Sequence, residues 1–337
     1  MAGYRRGLKH TGSVVVVTGA SSGIGRATAL ALARAGARPV LVARRADELH
    51  RVAAECGSDA LAVPADVTDP AAVEEVARRA VERFGRLDGW VNCAAVMMFG
   101  RLLDVPLADV RRVLDVNVLG YVHGARAALP RMTAQQHGVL VNVSSLLGQI
   151  ALPYGAAYSM TKAAIRTMAA ALREELRLDG VRGVAVTTVL VPAVDTAIYR
   201  VAANHSGRTP HPPPPVYSAE RVAATILRQL RTPRLEVVAG GPLAKAITHG
   251  HPIAPIVVTE RILATETKWL GLRQPSTEPT SGNLYRPDPA PGAVADGWHG
   301  RRRQNVRRAG LAVAAVAGVL GVGRVGLRPR NGGRSRG

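Results

Sequence analysis

Seven short apolar runs, separated by segments of helix length, fill the chain from Val14 to Val238. Val14–Val17, Pro39–Ala43, Leu61–Ala65, Leu87–Asn92, Val139–Val143, Val184–Leu190 and Leu235–Val238 are each too short to be helices. The first is apolar at every position, as a strand buried on both faces must be. Between the runs lie Gly23–Ala35, Ala46–Cys56, Pro70–Phe84, Leu107–Leu129, Tyr158–Leu178 and Ala219–Leu230, all of helix length. Asp69-Pro70 suits a helix start, with aspartate as cap and proline in the first turn. Such alternation predicts an α/β fold: a doubly wound, parallel, seven-stranded sheet with helices on both faces. A (β/α)8 barrel also fits the alternation, but the glycine-rich loop after the first strand argues against it.

The same pattern sets the expected boundaries. Residues 1–12 form an N-terminal segment and residues 13–240 the main domain. Residues 241–300 are an extension and Pro/Gly-rich linker with little core of its own, and residues 301–337 an Arg-rich tail. Pro210–Pro215, five prolines in six residues, is expected to run extended over the surface. Only Cys56 and Cys93 are present, which excludes a disulfide framework.

The net charge of +20 is almost wholly arginine, and ten of the arginines lie in residues 297–337, where there is no acid. The rest of the excess is mild and diffuse. With no zinc-finger spacing, RNA-recognition motif or basic zipper, it makes no case for a nucleic-acid partner. Ala309–Gly323 is uncharged, and the stretch to Leu327 admits only Arg324. As a helix, 15 residues would reach about 22 Å, short of the ~30 Å apolar core of a bilayer. A membrane anchor, a loose tail and an oligomer-packing or nucleic-acid-contacting arm are all open readings. Met1–Gly12 lacks the apolar stretch of a secretory signal. A cytoplasmic protein is expected, with membrane association through residues 309–327 as the open alternative.

Thr18-Gly19-Ala20-Ser21-Ser22-Gly23-Ile24-Gly25 follows the first strand and opens the first helix. Small residues there let the backbone approach a pyrophosphate, and the helix start offers unpaired N–H groups and a favourable dipole. A tight turn without a ligand is the plainer alternative. The second strand ends at Ala43-Arg44-Arg45, with no acid to hold the ribose hydroxyls of NAD. Two arginines at that place suit a 2′-phosphate and favour NADP(H) over NAD(H). The competing reading is a pair of solvated arginines in an arginine-rich chain. Asp66, with Val67 beside it, stands just past the third strand, where it can accept a hydrogen bond from an adenine amine.

Tyr158 and Lys162, at i and i+4, lie on one face of a helix. A nearby ammonium favours the phenolate, so the tyrosine is expected to exchange protons near neutral pH. Ser145 ends the fifth strand 13 residues before Tyr158, where its hydroxyl can meet the tyrosine at a substrate carbonyl. Ser144 better suits a backbone bond. Asn117 is a poor helix former inside a predicted helix, which gives its amide a water or a backbone carbonyl to hold.

Together these motifs make the chain resemble a short-chain dehydrogenase/reductase of the single-domain Rossmann type, over roughly residues 12–240. The matches run in order from the Thr18–Gly25 loop through Asp66, Asn92-Cys93-Ala94-Ala95, Asn117 and Ser145 to Tyr158 and Lys162. The resemblance implies a catalytic tetrad. Tyr158 exchanges the proton, Ser145 orients the carbonyl, Lys162 holds the nicotinamide ribose and tunes Tyr158, and Asn117 anchors a water relay. It implies cofactor contacts at Asn92, Ala94, Pro192, Val194 and Thr196, a carbonyl or alcohol as small-molecule substrate, no metal, and a homo-oligomer through the long helices. Ala95 replaces the family's usual glycine, and Pro192-Ala193 its usual Pro-Gly. Substrate choice is expected to fall to Leu146–Pro153 and Val194–Tyr217. A non-catalytic nucleotide-binding sensor or scaffold, tethered by the tail, is the alternative on the same fold; the presence of both tyrosine and lysine favours an enzyme.

Overall fold

The computed structural model describes residues 7–242, 244 and 277–299. The apolar stretch 309–327 and most of the extension lie outside them. Strand β1 (Val14–Thr18) leads into helix α1 (Gly23–Arg34), followed by β2 (Arg38–Ala43), α2 (Ala46–Cys56), β3 (Leu61–Pro64), α3 (Pro70–Phe84) and β4 (Gly89–Asn92). A two-residue strand β5 (Met98–Phe99) precedes α4 (Leu107–Leu114), α5 (Gly120–Ala134), β6 (Gly138–Ser145), α6 (Ala156–Leu178) and β7 (Val184–Val191). A second short strand β8 (Ala203–Asn204), α7 (Ala219–Arg231) and β9 (Glu236–Val238) complete the order.

The seven longer strands form one parallel sheet in the order β3-β2-β1-β4-β6-β7-β9, as the doubly wound expectation requires. The short β5 and β8 pair with each other beside it and were not legible as strands. The Val14–Val17 run is fully buried, with alternate residues feeding two different layers. Val14 and Val16 pack with Trp90 and Leu140 against Val76 and Ala80 of α3 and Met132 of α5. Val15 and Val17 face Leu32 of α1 and Ile226 and Leu230 of α7. Asp69 caps α3 as read, accepting from the N–H groups of Ala71 and Ala72.

Two expectations need correction. The helix expected over Leu107–Leu129 is not continuous: a π-helical turn at Asp115–Leu119 separates α4 from α5. It sets Asn117 apart from the regular α-helical bonding on either side, and such turns tend to occur at functional sites. The second concerns the expected linker. Residues 277–299 are not a tether but a strap packed on the domain, with Leu284 fully buried among the sheet and helices. Its apolar content is low because most of its attachments are made by the backbone.

Among the described residues no helix is long and apolar enough to cross a membrane. Leu140 is fully buried at the centre of the sheet. Leu140→Ala is expected to lower the unfolding free energy by about 2–5 kcal/mol, read from urea denaturation; a loss under 1 kcal/mol would contradict the packing described here.

Candidate active site

The sheet order reverses direction at β1, whose neighbours are β2 on one side and β4 on the other. Open parallel sheets bind ligands at the carboxyl ends of strands flanking such a point. A cleft of about 400 Å³ lies there. Gly19 enters the loop with φ +72°, and a Cβ on it would press against the backbone of Ala94. A side chain on Gly25 would run into the Gly19 carbonyl. The loop is thus a close-packed cradle that only glycine allows. Ser22 caps α1 without a side-chain bond, and the first N–H of the helix, that of Gly23, donates to the Ala293 carbonyl at 2.8 Å. These features fit the pyrophosphate of a dinucleotide.

Three of the sequence-selected residues stand behind the cleft wall. Thr18 Oγ1 accepts from the N–H groups of Cys93 (2.9 Å) and Ala94 (3.1 Å), joining the end of β1 to the loop after β4. Asn92 is fully engaged inside the sheet, accepting from Trp90 Nε1 and donating to Asn142 Oδ1 and the Tyr121 carbonyl. Asn117 accepts from the Val96 N–H and donates to the Val96 carbonyl, each at 2.9 Å, and to Thr161 Oγ1 at 3.2 Å. Thr161 in turn donates to the Tyr158 carbonyl at 2.7 Å. The Asn117 amide therefore binds a backbone carbonyl and ties the π-turn to the first turn of α6. These three residues position the groups that line the cleft.

The other selected residues all line it: Gly19, Ser21, Ser22, Gly23, Ile24 and Gly25; Arg44, Arg45, Asp66, Val67 and Ala94; and Ser145, Tyr158, Lys162, Pro192, Val194 and Thr196. Lys162 is 1% exposed; its Nζ donates to the Val143 carbonyl (3.1 Å), and it lies 5.2 Å from the ring centre of Tyr121 and 5.4 Å from that of Tyr158. Burial lowers its pKa to about 8. Ser144 takes the backbone role expected of it, donating to the Lys162 carbonyl at 2.8 Å. Ser145 donates to the Val191 carbonyl and accepts from the Leu147 N–H.

Tyr158 behaves differently from the expectation of a lowered pKa. Burial pushes its hydroxyl well above the ordinary phenol value, the Cys93 thiol adds to this, and a hydrogen bond with Ser145 opposes both. Desolvation wins because the tyrosine is enclosed by Met97, Phe99, Leu152 and Tyr199, with Trp298 of the strap packed against the same cluster. This side of the cleft is an apolar wall around one phenol.

At the opposite end the arginine pair is engaged by the strap. Arg44 donates to the carbonyls of Asn283 (2.7 Å), Leu284 (3.2 Å) and Tyr285 (3.4 Å). Arg45 donates to the carbonyls of Ala290 (2.7 Å) and Asp288 (3.3 Å) and to Ser21 Oγ (3.2 Å). Neither is the solvated surface arginine of the competing reading. Asp66 holds Thr68 and Arg112, which keep its carboxyl below the usual range against the effect of burial. Two buried aspartates that no sequence motif marked hold the strap. Asp109 accepts from Ser281 Oγ (3.0 Å) and Tyr285 Oη (2.9 Å) and pairs with His205 (2.8 Å). Asp195, between Val194 and Thr196, accepts the N–H groups of Asp296, Trp298 and His299.

Comparison with known proteins agrees with this geometry. A family model described as short chain dehydrogenase matches residues 13–206. An uncharacterized oxidoreductase of Staphylococcus aureus (strain N315) is 38% identical over 216 residues, covering 64% of this chain and 92% of the relative. Another, from Bacillus subtilis (strain 168), is 37% identical over 239 residues, covering 69% of this chain and 67% of the relative. The crystal structure of a short-chain dehydrogenase from Streptomyces avermitilis superposes with a TM-score of 0.63 at 29% identity, covering 76% of this chain and 95% of that one. A short chain dehydrogenase/reductase from Burkholderia phymatum in complex with NAD gives 0.64 at 26% identity, covering 81% and 99%.

Replacing Asn117 by alanine would leave the Val96 N–H and carbonyl unpaired in the interior. Asn117→Ala is expected to cost about 1–3 kcal/mol of stability by chemical denaturation. An unchanged midpoint would show that this amide is not the tie between the π-turn and α6.

Proposed function

The chain belongs to the short-chain dehydrogenase family, and from that premise we propose that it interconverts a carbonyl and an alcohol with NADP(H), using Tyr158 as general acid and base. A bound nicotinamide supplies or accepts the hydride. The observation that carries the proposal is the convergence of Tyr158, Ser145 and Lys162 on the one cleft that also holds the glycine loop.

In carbonyl reduction the buried phenol is held protonated and donates its proton to the developing alkoxide. Ser145, fixed by Val191 and Leu147 beside it, orients the carbonyl oxygen. Lys162 places a compact ammonium under the same ring, in a position to hold the ribose hydroxyls. Asn117 keeps α6 in register, and both of its amide atoms are already bonded within the protein. The apolar wall of Met97, Phe99, Leu152 and Tyr199 favours a substrate whose carbonyl carries an uncharged, apolar group. NADP(H) is preferred to NAD(H) because β2 ends in two arginines and no carboxylate. The chain works as a homo-oligomer through its long helices, where Met160 of α6 stands exposed.

Tyr158→Phe is expected to lower carbonyl reduction by about 10²–10⁴-fold and to leave NADPH binding unchanged; sustained turnover in that variant would remove Tyr158 as proton donor. Lys162 carries its charge below its depressed pKa of about 8 and loses it above. The kcat/KM for reduction is therefore expected to be level below pH 8 and to fall as pH rises through it. A profile flat to pH 10 would show that the ammonium is not required.

A further inference from the structure

The strap lies on the groups that would read the cofactor's phosphates. Five backbone carbonyls, from Asn283, Leu284, Tyr285, Asp288 and Ala290, sit on the guanidiniums of Arg44 and Arg45. A sixth, from Ala293, accepts the Gly23 N–H at the start of α1 at 2.8 Å. The Gly292 carbonyl takes Arg26 Nη1. Each of these acceptors is neutral and belongs to the chain itself.

Both ends of the strap have further attachments beside those contacts. Thr280 and Asn204 exchange two backbone bonds, and Ser281 and Tyr285 hold Asp109. At the far end Asp195 takes three N–H groups, and Arg200 pairs with Asp288 and Asp296. Leu284 is fully buried and the Asn283 N–H donates to the Val201 carbonyl, so the carbonyls on Arg44 belong to the fastened end; between the two ends lie residues 286–292, whose Asp288 and Ala290 carbonyls hold Arg45. Beneath it the cleft remains open, lined by Asp66 and Val67 on one side and by Asn283, Pro287 and Asp288 on the other.

We propose that residues 286–292, whose carbonyls hold Arg45, are an intramolecular competitor for the 2′-phosphate of the cofactor, and so set the preference between NADP(H) and NAD(H). The proposal rests on the reading that Arg44 and Arg45 meet that phosphate. A phosphate dianion makes charge-assisted bonds to guanidinium that are shorter and stronger than those from a neutral carbonyl. It can take Arg45 from the strap. A ribose 2′-hydroxyl brings no charge and leaves the strap in place, with the adenosine beneath it. The two equilibria are linked: whatever the strap costs the 2′-phosphate in affinity, the 2′-phosphate costs the strap in attachment.

A side chain at position 292 would run into the Ser21 carbonyl and press on Arg45 and Glu48, so Gly292→Val in the full-length chain should lift the middle of the strap. Titrated with NADPH and NADH, this variant is expected to bind NADPH at least about tenfold more tightly than the parent, with NADH changed less than about threefold. Equal gains for both nucleotides, no gain, or weaker binding of both would overturn the proposal, the last outcome marking the strap as a clamp. Arg44→Ala and Arg45→Ala in the Gly292→Val background separate the two layers. If they leave NADPH affinity untouched, the arginines do not read the phosphate. If they weaken it while Gly292→Val alone changed nothing, only the competition is wrong. Hydrogen exchange of residues 286–292 in the parent protein needs no variant. NADPH should raise exchange there and NADH should not, and the same response to both would also overturn the proposal.

Discussion

One hydroxyl spans the gap on which the site depends. At the switch in sheet order, β1 and β4 leave side by side, and the loops that follow diverge to open the cleft. Thr18 Oγ1 receives two backbone N–H groups from the β4 loop across that opening. The glycine cradle and the Cys93–Ala94 wall are thereby held at a fixed separation, with Gly19 packed against Ala94. Everything placed along the cleft inherits its geometry from that joint.

Electrostatics divide the cleft into two unlike ends. Around Tyr158 the surroundings are apolar, and desolvation governs: the phenol is held protonated and the ammonium of Lys162 is brought close to neutrality. The Val143 carbonyl, which accepts from both Lys162 and Tyr121, is the main polar compensation for that buried charge. At the opposite end two guanidiniums and a helix N-terminus gather positive potential, balanced by Asp66 and by the oxygens of the strap. One end encloses a phenol and an ammonium and the other presents two guanidiniums, with the strap reaching both through Trp298 and the arginines.

The fold was legible because its signals are periodic. Val14–Val17 is buried on both faces, and each of the seven expected strands is found in the sheet, within a residue or two at its ends. Residues tied to a motif, such as Tyr158, Lys162 and the glycine loop, were legible for the same reason: fixed spacing on a regular element fixes direction. The π-turn was not: Asn117 stands out as a poor helix former, but one such residue does not mark a π-turn, and its partners Val96 and Thr161 lie 21 and 44 residues away. The strap was invisible for a different reason. Most attachments of residues 277–299 run through main-chain oxygens and N–H groups, which every residue type carries, and their side-chain ties, such as Ser281 and Tyr285 to Asp109, belong to no motif. Nor could the sequence show that burial would raise the Tyr158 pKa, since that depends on Phe99, Leu152 and Tyr199 converging from three separate segments.

The central claim is that this cleft transfers hydride between a nicotinamide and a carbonyl carbon. Incubating the protein with NADPH deuterated at C4 and a panel of apolar aldehydes and ketones, then analysing the alcohols by mass spectrometry and NMR, tests it directly. The account predicts one deuterium on the carbinol carbon of the alcohol, transferred from one face of the nicotinamide only. Alcohol formed without deuterium at that carbon, or no alcohol from any member of the panel, would contradict it.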